Sequence, residues 1–294
     1  SVPGTCEVYL NSIKEALFND GMVRNLYSGK WSEYPNDNKD RFNKRGQELL
    51  KKLIKQNRLA YFKAIGETIP SNDEEWITEA LNTHQESTIY GIITNTKLSE
   101  KFNNPLISSI EKITKSSWWT NRSNSTRLGR QIVNYLKHLD LILRFSNSMM
   151  FIDPHIDPSK HKYKEFIEIL RKCKRGDGVN PPIEIHRVCY EGSGPSTTFP
   201  SLKDWQQRFT NTWQSELKNI SLNVEVFIWD DFHDRYLISN LIGISCPNGF
   251  DTTTDLNDIT TWTKLGRADK DDVQREFDPA SNKHQLKHRF RVLE

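Results

Sequence analysis

Beyond about residue 116, short apolar runs alternate with stretches in which apolar residues recur every three or four positions. SMMFIDP is a short apolar run closed by Asp153-Pro154, and the residue before proline is held extended. IEIHRVCY, LNVEVFIW and RYLISNLIGISC read as further strands. Between them, YKEFIEILRKC places Phe166, Ile167, Leu170 and Cys173 on one helical face. LKDWQQRFTNTWQSELKNI does the same with Leu202, Trp205, Phe209, Trp213 and Leu217. Strand, helix and strand in alternation predict an α/β layer with a mostly parallel sheet flanked by helices. KHQLKHRFRVL at the end is basic and amphipathic and reads as a closing helix or strand.

The first part, residues 1–115, has a different grammar and predicts a mainly helical region. RFNKRGQELLKKLIKQNRLAYFKAIG sets Phe42, Leu49, Leu50, Leu53, Ile54 and Phe62 at helical spacing, with Lys44, Glu48, Lys51, Lys55 and Arg58 opposite. Ser71-Asn72-Asp73 before EEWITEAL resembles an N-cap, and the acids that follow suit the positive end of the helix dipole. SGKWSEYPNDNKD, residues 28–40, reads as a polar loop. The expected domains are 1–115 and 116–294, the second including a linking helix with Ile132, Leu136, Leu139 and Leu143 inward.

Composition narrows the classes. With 35% hydrophobic and 11% aromatic residues, the chain can build a core beneath a polar surface, as its mean hydropathy of -0.70 requires. No apolar run is long enough to span a bilayer, and SVPGTCEVYL carries no signal-peptide pattern, so a cytoplasmic protein is expected. Cys6, Cys173, Cys189 and Cys246 form no CxxC pair, which argues for reduced thiols. Formal net charge is only +3, but Lys39 to Arg58 holds eight basic residues against two acids, so the basicity is one stripe on an otherwise slightly acidic protein.

In open α/β sheets, ligands gather at the carboxyl ends of strands. Asp153 and His155 fall there, as do His186 and Arg187, and Asp230, Asp231 and His233. Asp153, His155 and Asp157 alternate, as metal ligands on an extended chain would; Pro154 and Pro158 favour a strand-end cap instead, and no metal or cofactor is expected. SSWWTNRSNSTRLGR joins Trp118 and Trp119 to Arg122, Arg127 and Arg130. Such a set suits phosphates and exposed bases, or packing of the helical region with an arginine edge.

His233 and Arg235 stand two apart, with Asn240 five further on. The phospholipase D superfamily writes H-x-K-x4-D at this spacing. The segment VEVFIWDDFHDRYLISNLIGISCPNGFD resembles the phospholipase-D-like domain at the C-terminus of MIT-domain (microtubule-interacting and trafficking) proteins. There a strand leads into I-H-D-R, an asparagine, a second strand and a G-x-D ending, here Gly249-Phe250-Asp251. FIDPHID matches the opening strand and D-P-Y, with His155 in the tyrosine's place. The resemblance covers about residues 145–292.

It implies a phospholipase-D-like sheet and a phosphate site. The trafficking relatives bind acidic phospholipid and dimerise, whereas other members of the superfamily are nucleases with an active site completed across a dimer. On that resemblance, His233, Arg235 and Asn240 are the candidate catalytic set, with His233 as nucleophile and no metal. Asn240 lacks the negative charge that an Asp would offer an imidazolium. Arg235, His155, Arg187, Arg122 and Arg127 are the candidate phosphate ligands. Three readings stay open: a nucleic-acid backbone binder (DNA or RNA) in a microbial defence or DNA-processing assembly, a phosphodiesterase or nuclease, and an acidic-lipid or protein-docking module. The expected assembly is a homodimer or a subunit of a larger complex.

Overall fold

The computed structural model describes residues 11, 13–37, 44–176 and 178–293. The chain divides into two compact units, residues 1–123 and 124–294. The first unit holds helices α1 (Lys30–Asp37), α2 (Lys44–Lys55), α3 (Asp73–His84), α4 (Thr96–Phe102) and α5 (Ser117–Thr120). Short strands join them: β1 (Val23–Asn25) pairs parallel with β2 (Leu59–Tyr61), and β3 (Ile92–Thr94) with β4 (Ile107–Ser109). Asn72 caps α3 by accepting the Glu75 amide at 3.0 Å.

Two expectations are corrected here. The tract 28–40 is helical over Lys30–Asp37, because Trp31, Tyr34 and Pro35 form an apolar face and Tyr34 packs 5.9 Å from the ring of Trp76. The long amphipathic helix stops at Lys55, where Asn57 turns left-handed (φ 54) and the chain returns as β2. Arg58 therefore leaves the basic stripe. It is buried, its guanidinium donates to the carbonyls of Asn19 and Gly21, and burial lowers its pKa against the pull of Asp20. Lys44, Lys51, Lys52 and Lys55 are exposed. Cys6, Lys39, Arg41, Phe42 and the Arg45 side chain lie outside the described residues.

The second unit is built on one mixed eight-stranded sheet in the order β12-β8-β7-β6-β9-β10-β11-β5. The strands are β5 (Ser125–Gly129), β6 (Met149–Ile152), β7 (Ile183–Val188), β8 (Val224–Trp229), β9 (Tyr236–Ser239), β10 (Gly243–Ser245), β11 (Ile259–Lys264) and β12 (Leu286–Arg291). Only the β6–β7 and β7–β8 pairs are parallel; the other five are antiparallel, which corrects the mostly parallel expectation. The physical reason is connection length. Residues 240–242 between β9 and β10 are far too few for a crossover helix, so the chain must reverse.

Helices α6 (Ile132–Phe145), α7 (Phe166–Lys172) and α8 (Leu202–Ile220) cover one face of this sheet, and α9 (Arg267–Glu276) lies on the other. In α8 the buried residues Trp205, Phe209, Trp213 and Leu217 recur every fourth position, and they pack with Phe151, Ile185 and Val226. Strand alternation sends Ile152, Val188 and Trp229 to the opposite face, where they meet Val273 and Phe277. Among the described residues, no helix is long and apolar enough to cross a membrane.

Candidate functional site

β6, β7 and β8 are parallel, so their carboxyl ends share one rim, and β9 begins beside them because it runs antiparallel to β6. Asp153, the first residue past β6, is wholly buried. Its carboxylate accepts the Tyr163 hydroxyl (3.2 and 3.1 Å), the His155 amide (2.9 Å) and the Phe250 amide (3.1 Å). Arg235 Nε stands 3.8 Å away. Burial and the adjacent carboxylate push the Tyr163 phenol far up, so the hydroxyl remains a donor. Gly249 adopts φ +68, and a Cβ there would lie 2.0 Å from Asp153 Oδ2, so only glycine fits. Asp153, Arg235 and Gly249, drawn from three separate sequence segments, meet at this point.

Beside this node opens a cavity of about 510 Å³. Its lining includes His155, Lys160, His161, Lys162 and Arg187, with Glu191 as the acid, flanked by Tyr190 and Gly192. Lys160 pairs with Glu191 at 3.2 Å and Lys162 with Asp251 at 3.4 Å, and both lysines are about half exposed. Arg130 (2.6 Å) already pairs with Asp251, and Arg208 (2.8 Å) with Glu191, which leaves the lysines as the exchangeable partners. Burial lowers the His155 pKa; Asp153 opposes this, while Arg235, Lys162 and Arg187 push it further down. Its imidazole is neutral at neutral pH.

The structure divides the expected phosphate ligands. Arg187 lines the cavity, yet its Nε donates to the Val188 carbonyl (2.9 Å) and its Nη1 to that of Ile156 (2.8 Å). Its guanidinium lies 3.5 Å over Trp205, and burial lowers its pKa to about 10 in spite of Asp157 and Glu191. It supplies positive charge to the cavity wall, not a free fork. Arg235 donates through Nη1 to the carbonyls of His233 (3.3 Å) and Pro247 (3.2 Å). Arg122 belongs to the first unit, its guanidinium 3.7 Å over Trp119. Arg127 is exposed on the edge strand β5, four strands from β6, or roughly 19 Å at the usual inter-strand spacing.

His233 and Asn240 are not brought together. The His233 side chain is 83% exposed, and its nearest acid, Asp231, is 3.7 Å away. Asn240 follows the far end of β9, where its Oδ1 accepts the Asn147 amide at 2.7 Å near the start of β6. The intervening strand spans about 10 Å, so the spacing of the motif separates these side chains instead of joining them. Asp153 and Asp157 act as strand-end caps: Asp157 accepts the Ser159 amide (2.9 Å) and hydroxyl (2.6 Å) and pairs with Arg208 (2.9 Å).

Sequence reading passed over Lys160, His161, Lys162, Tyr163 and Tyr190. The run SKHKY directly after FIDPHIDP was the available signal. His186, by contrast, is wholly buried on the α9 face: its Nδ1 accepts the Trp229 indole N–H (3.0 Å), which leaves Nε2–H to donate to Glu184 (3.2 Å).

Fold and rim define an α/β protein with a mixed eight-stranded sheet and a basic cavity at the carboxyl ends of its parallel strands. No protein-family model matches the chain, and no curated protein matches it in sequence. Solved structures distantly similar to the chain include the following two. TrmBL2, an archaeal chromatin protein whose structure shows a novel mode of DNA binding, is 15% identical over 82% of each chain, with a TM-score of 0.31. Phosphatidylserine synthase of Haemophilus influenzae Rd KW20 is 11% identical over 95% of this chain and 85% of its own, with a TM-score of 0.32.

Proposed function

We propose that the chain binds the phosphates of a nucleic-acid backbone at the carboxyl rim of its sheet. The observation that carries this reading is the cavity itself, in which Lys160, His161, Lys162 and His155 surround a volume that admits a phosphodiester, with buried Arg187 behind them. The half-exposed lysines pair with acids that Arg208 and Arg130 also hold, so a phosphate can take over the lysines through charge-assisted hydrogen bonds. The convergence of Asp153, Arg235 and Gly249 supports a phospholipase-D-like arrangement of the rim. The exposure of His233 and the remote position of Asn240 favour binding over cleavage.

The experiment is fluorescence anisotropy of a labelled oligonucleotide across a salt series. Affinity should fall steeply with salt, and Lys162→Ala should weaken every sequence alike and reduce the log–log salt slope by about one. A neighbouring phosphate also favours the charged form of His155, so affinity should rise as pH falls from neutrality towards the pKa of the free histidine. A salt-independent affinity, or a Lys162→Ala protein indistinguishable from wild type, removes the reading. EDTA-resistant strand cleavage that disappears in His233→Ala would replace it with the phosphodiesterase.

A further inference from the structure

Glu191 and Thr198 exchange two backbone hydrogen bonds of 2.9 Å, closing a loop whose Glu191 and Gly192 line the cavity. Gly192 within it takes φ +81, and a Cβ there would lie 2.5 Å from the Ser196 carbonyl oxygen. This braced loop displays Phe199, which is 71% exposed, with its ring 6.3 Å from that of Tyr190 and tilted edge-on to it. Tyr190 is itself fixed by donating its hydroxyl to Asp231 at 2.6 Å, a bond that, with burial, raises its pKa to about 12. A large aromatic face is thus held open to solvent against Tyr190, a residue that lines the basic cavity.

We infer that Phe199, backed by Tyr190, is a platform on which an unstacked base rests, so that the ligand is single-stranded nucleic acid. The inference rests on the phosphate reading of the adjacent cavity. Base stacking on an aromatic ring beside a backbone-neutralising groove is how single strands are held without sequence preference. Charge selects this occupant over a duplex or a bilayer. Asp231 and Asp234 stand exposed on the neighbouring 230–235 loop and would repel a broad anionic surface, whereas a single strand can reach Lys160 and Lys162 without laying its full charge against these acids.

The test uses the full chain with four probes: an oligothymidylate, an abasic strand of the same length, a duplex, and vesicles of phosphatidylcholine with phosphatidylserine. Phe199→Ala should weaken the base-bearing strand by about 5- to 150-fold, the range that one stacked base contributes. The abasic strand should bind wild type and Phe199→Ala alike, and Phe199→Trp should retain affinity for oligothymidylate. Phe199 is largely exposed, so these variants leave the core in place. If Phe199→Ala binds oligothymidylate as wild type does while Lys162→Ala weakens all strands, the platform falls and the phosphate reading stands. If wild type binds neither strand, both fall. Preference for the duplex, or vesicle binding that depends on Phe199, overturns the single-strand assignment.

Discussion

His186 shows how burial turns an ordinary residue into a conditional one. It stacks on Phe227 (ring centroids 4.7 Å apart, 7° between planes) and meets Phe277 edge-on. Burial lowers its pKa, and the hydrogen bond and charge of Glu184 only oppose that shift. The unfolded chain, with a histidine pKa of about 6.5, therefore binds the proton before the native state does. Stability then rises with pH, and the contribution is lost as pH falls through about 6.5 towards the depressed native value. His155, whose pKa is also lowered, acts with the same sign. Urea unfolding should give a lower free energy at pH 5 than at pH 7. His186→Phe should be destabilised by about 1–3 kcal/mol at pH 7, because the Trp229 indole loses its acceptor, while its pH dependence flattens. An equally steep pH dependence in that variant would remove His186 as a source.

At the scale of elements, α8 carries both structure and site. Its buried ridge anchors the sheet, and its first two turns bring Trp205 and Arg208 against Arg187, Asp157 and Glu191. Ser201 and Asp204 close its N-terminus in a capping box, the Ser201 hydroxyl accepting the Asp204 amide at 3.3 Å and the Asp204 carboxylate accepting the Ser201 amide at 2.9 Å. Ser201→Ala should therefore lower unfolding stability by about 0.5–2 kcal/mol. Chemical denaturation is the check, and an unchanged midpoint would show that packing alone holds this end. The loop that bears Phe199 leads directly into the same cap, so the helix start and the proposed platform share one anchor.

For the molecule as a whole, the edge strand β5 decides where the second unit begins. It pairs with β11 over five residue pairs, from Gly129 opposite Ile259 to Ser125 opposite Thr263. A fragment beginning at Asn124 retains this strand, whereas one beginning at Arg130 leaves β11 as an unpaired edge. The first fragment should unfold cooperatively and stay dispersed, and the second should be less stable and prone to associate. Thermal unfolding with light scattering distinguishes them, and equal behaviour of the two fragments would place the boundary elsewhere.

Short apolar runs located β6, β7 and β8, which bury both faces of the sheet, and period-four patterning located α7 and α8, each of which buries one face against the core. The N-cap of α3 was legible for a similarly local reason: Asn72 bonds to an amide three residues away. The polar-looking tract at Lys30–Asp37 misled, because the Trp76 ring that shelters Tyr34 comes from a distant segment. Motif spacing named His233, Arg235 and Asn240 as a group, but an extended strand carries the asparagine to the opposite end of the sheet. Only tertiary structure brought Asp153, Arg235 and Gly249 to one carboxylate and set Lys160, Lys162 and Tyr190 around one cavity. Sequence specifies local geometry through near-neighbour sterics and hydrogen bonds, whereas a site at a sheet's rim depends on strand order and direction, which arise only when distant segments pair.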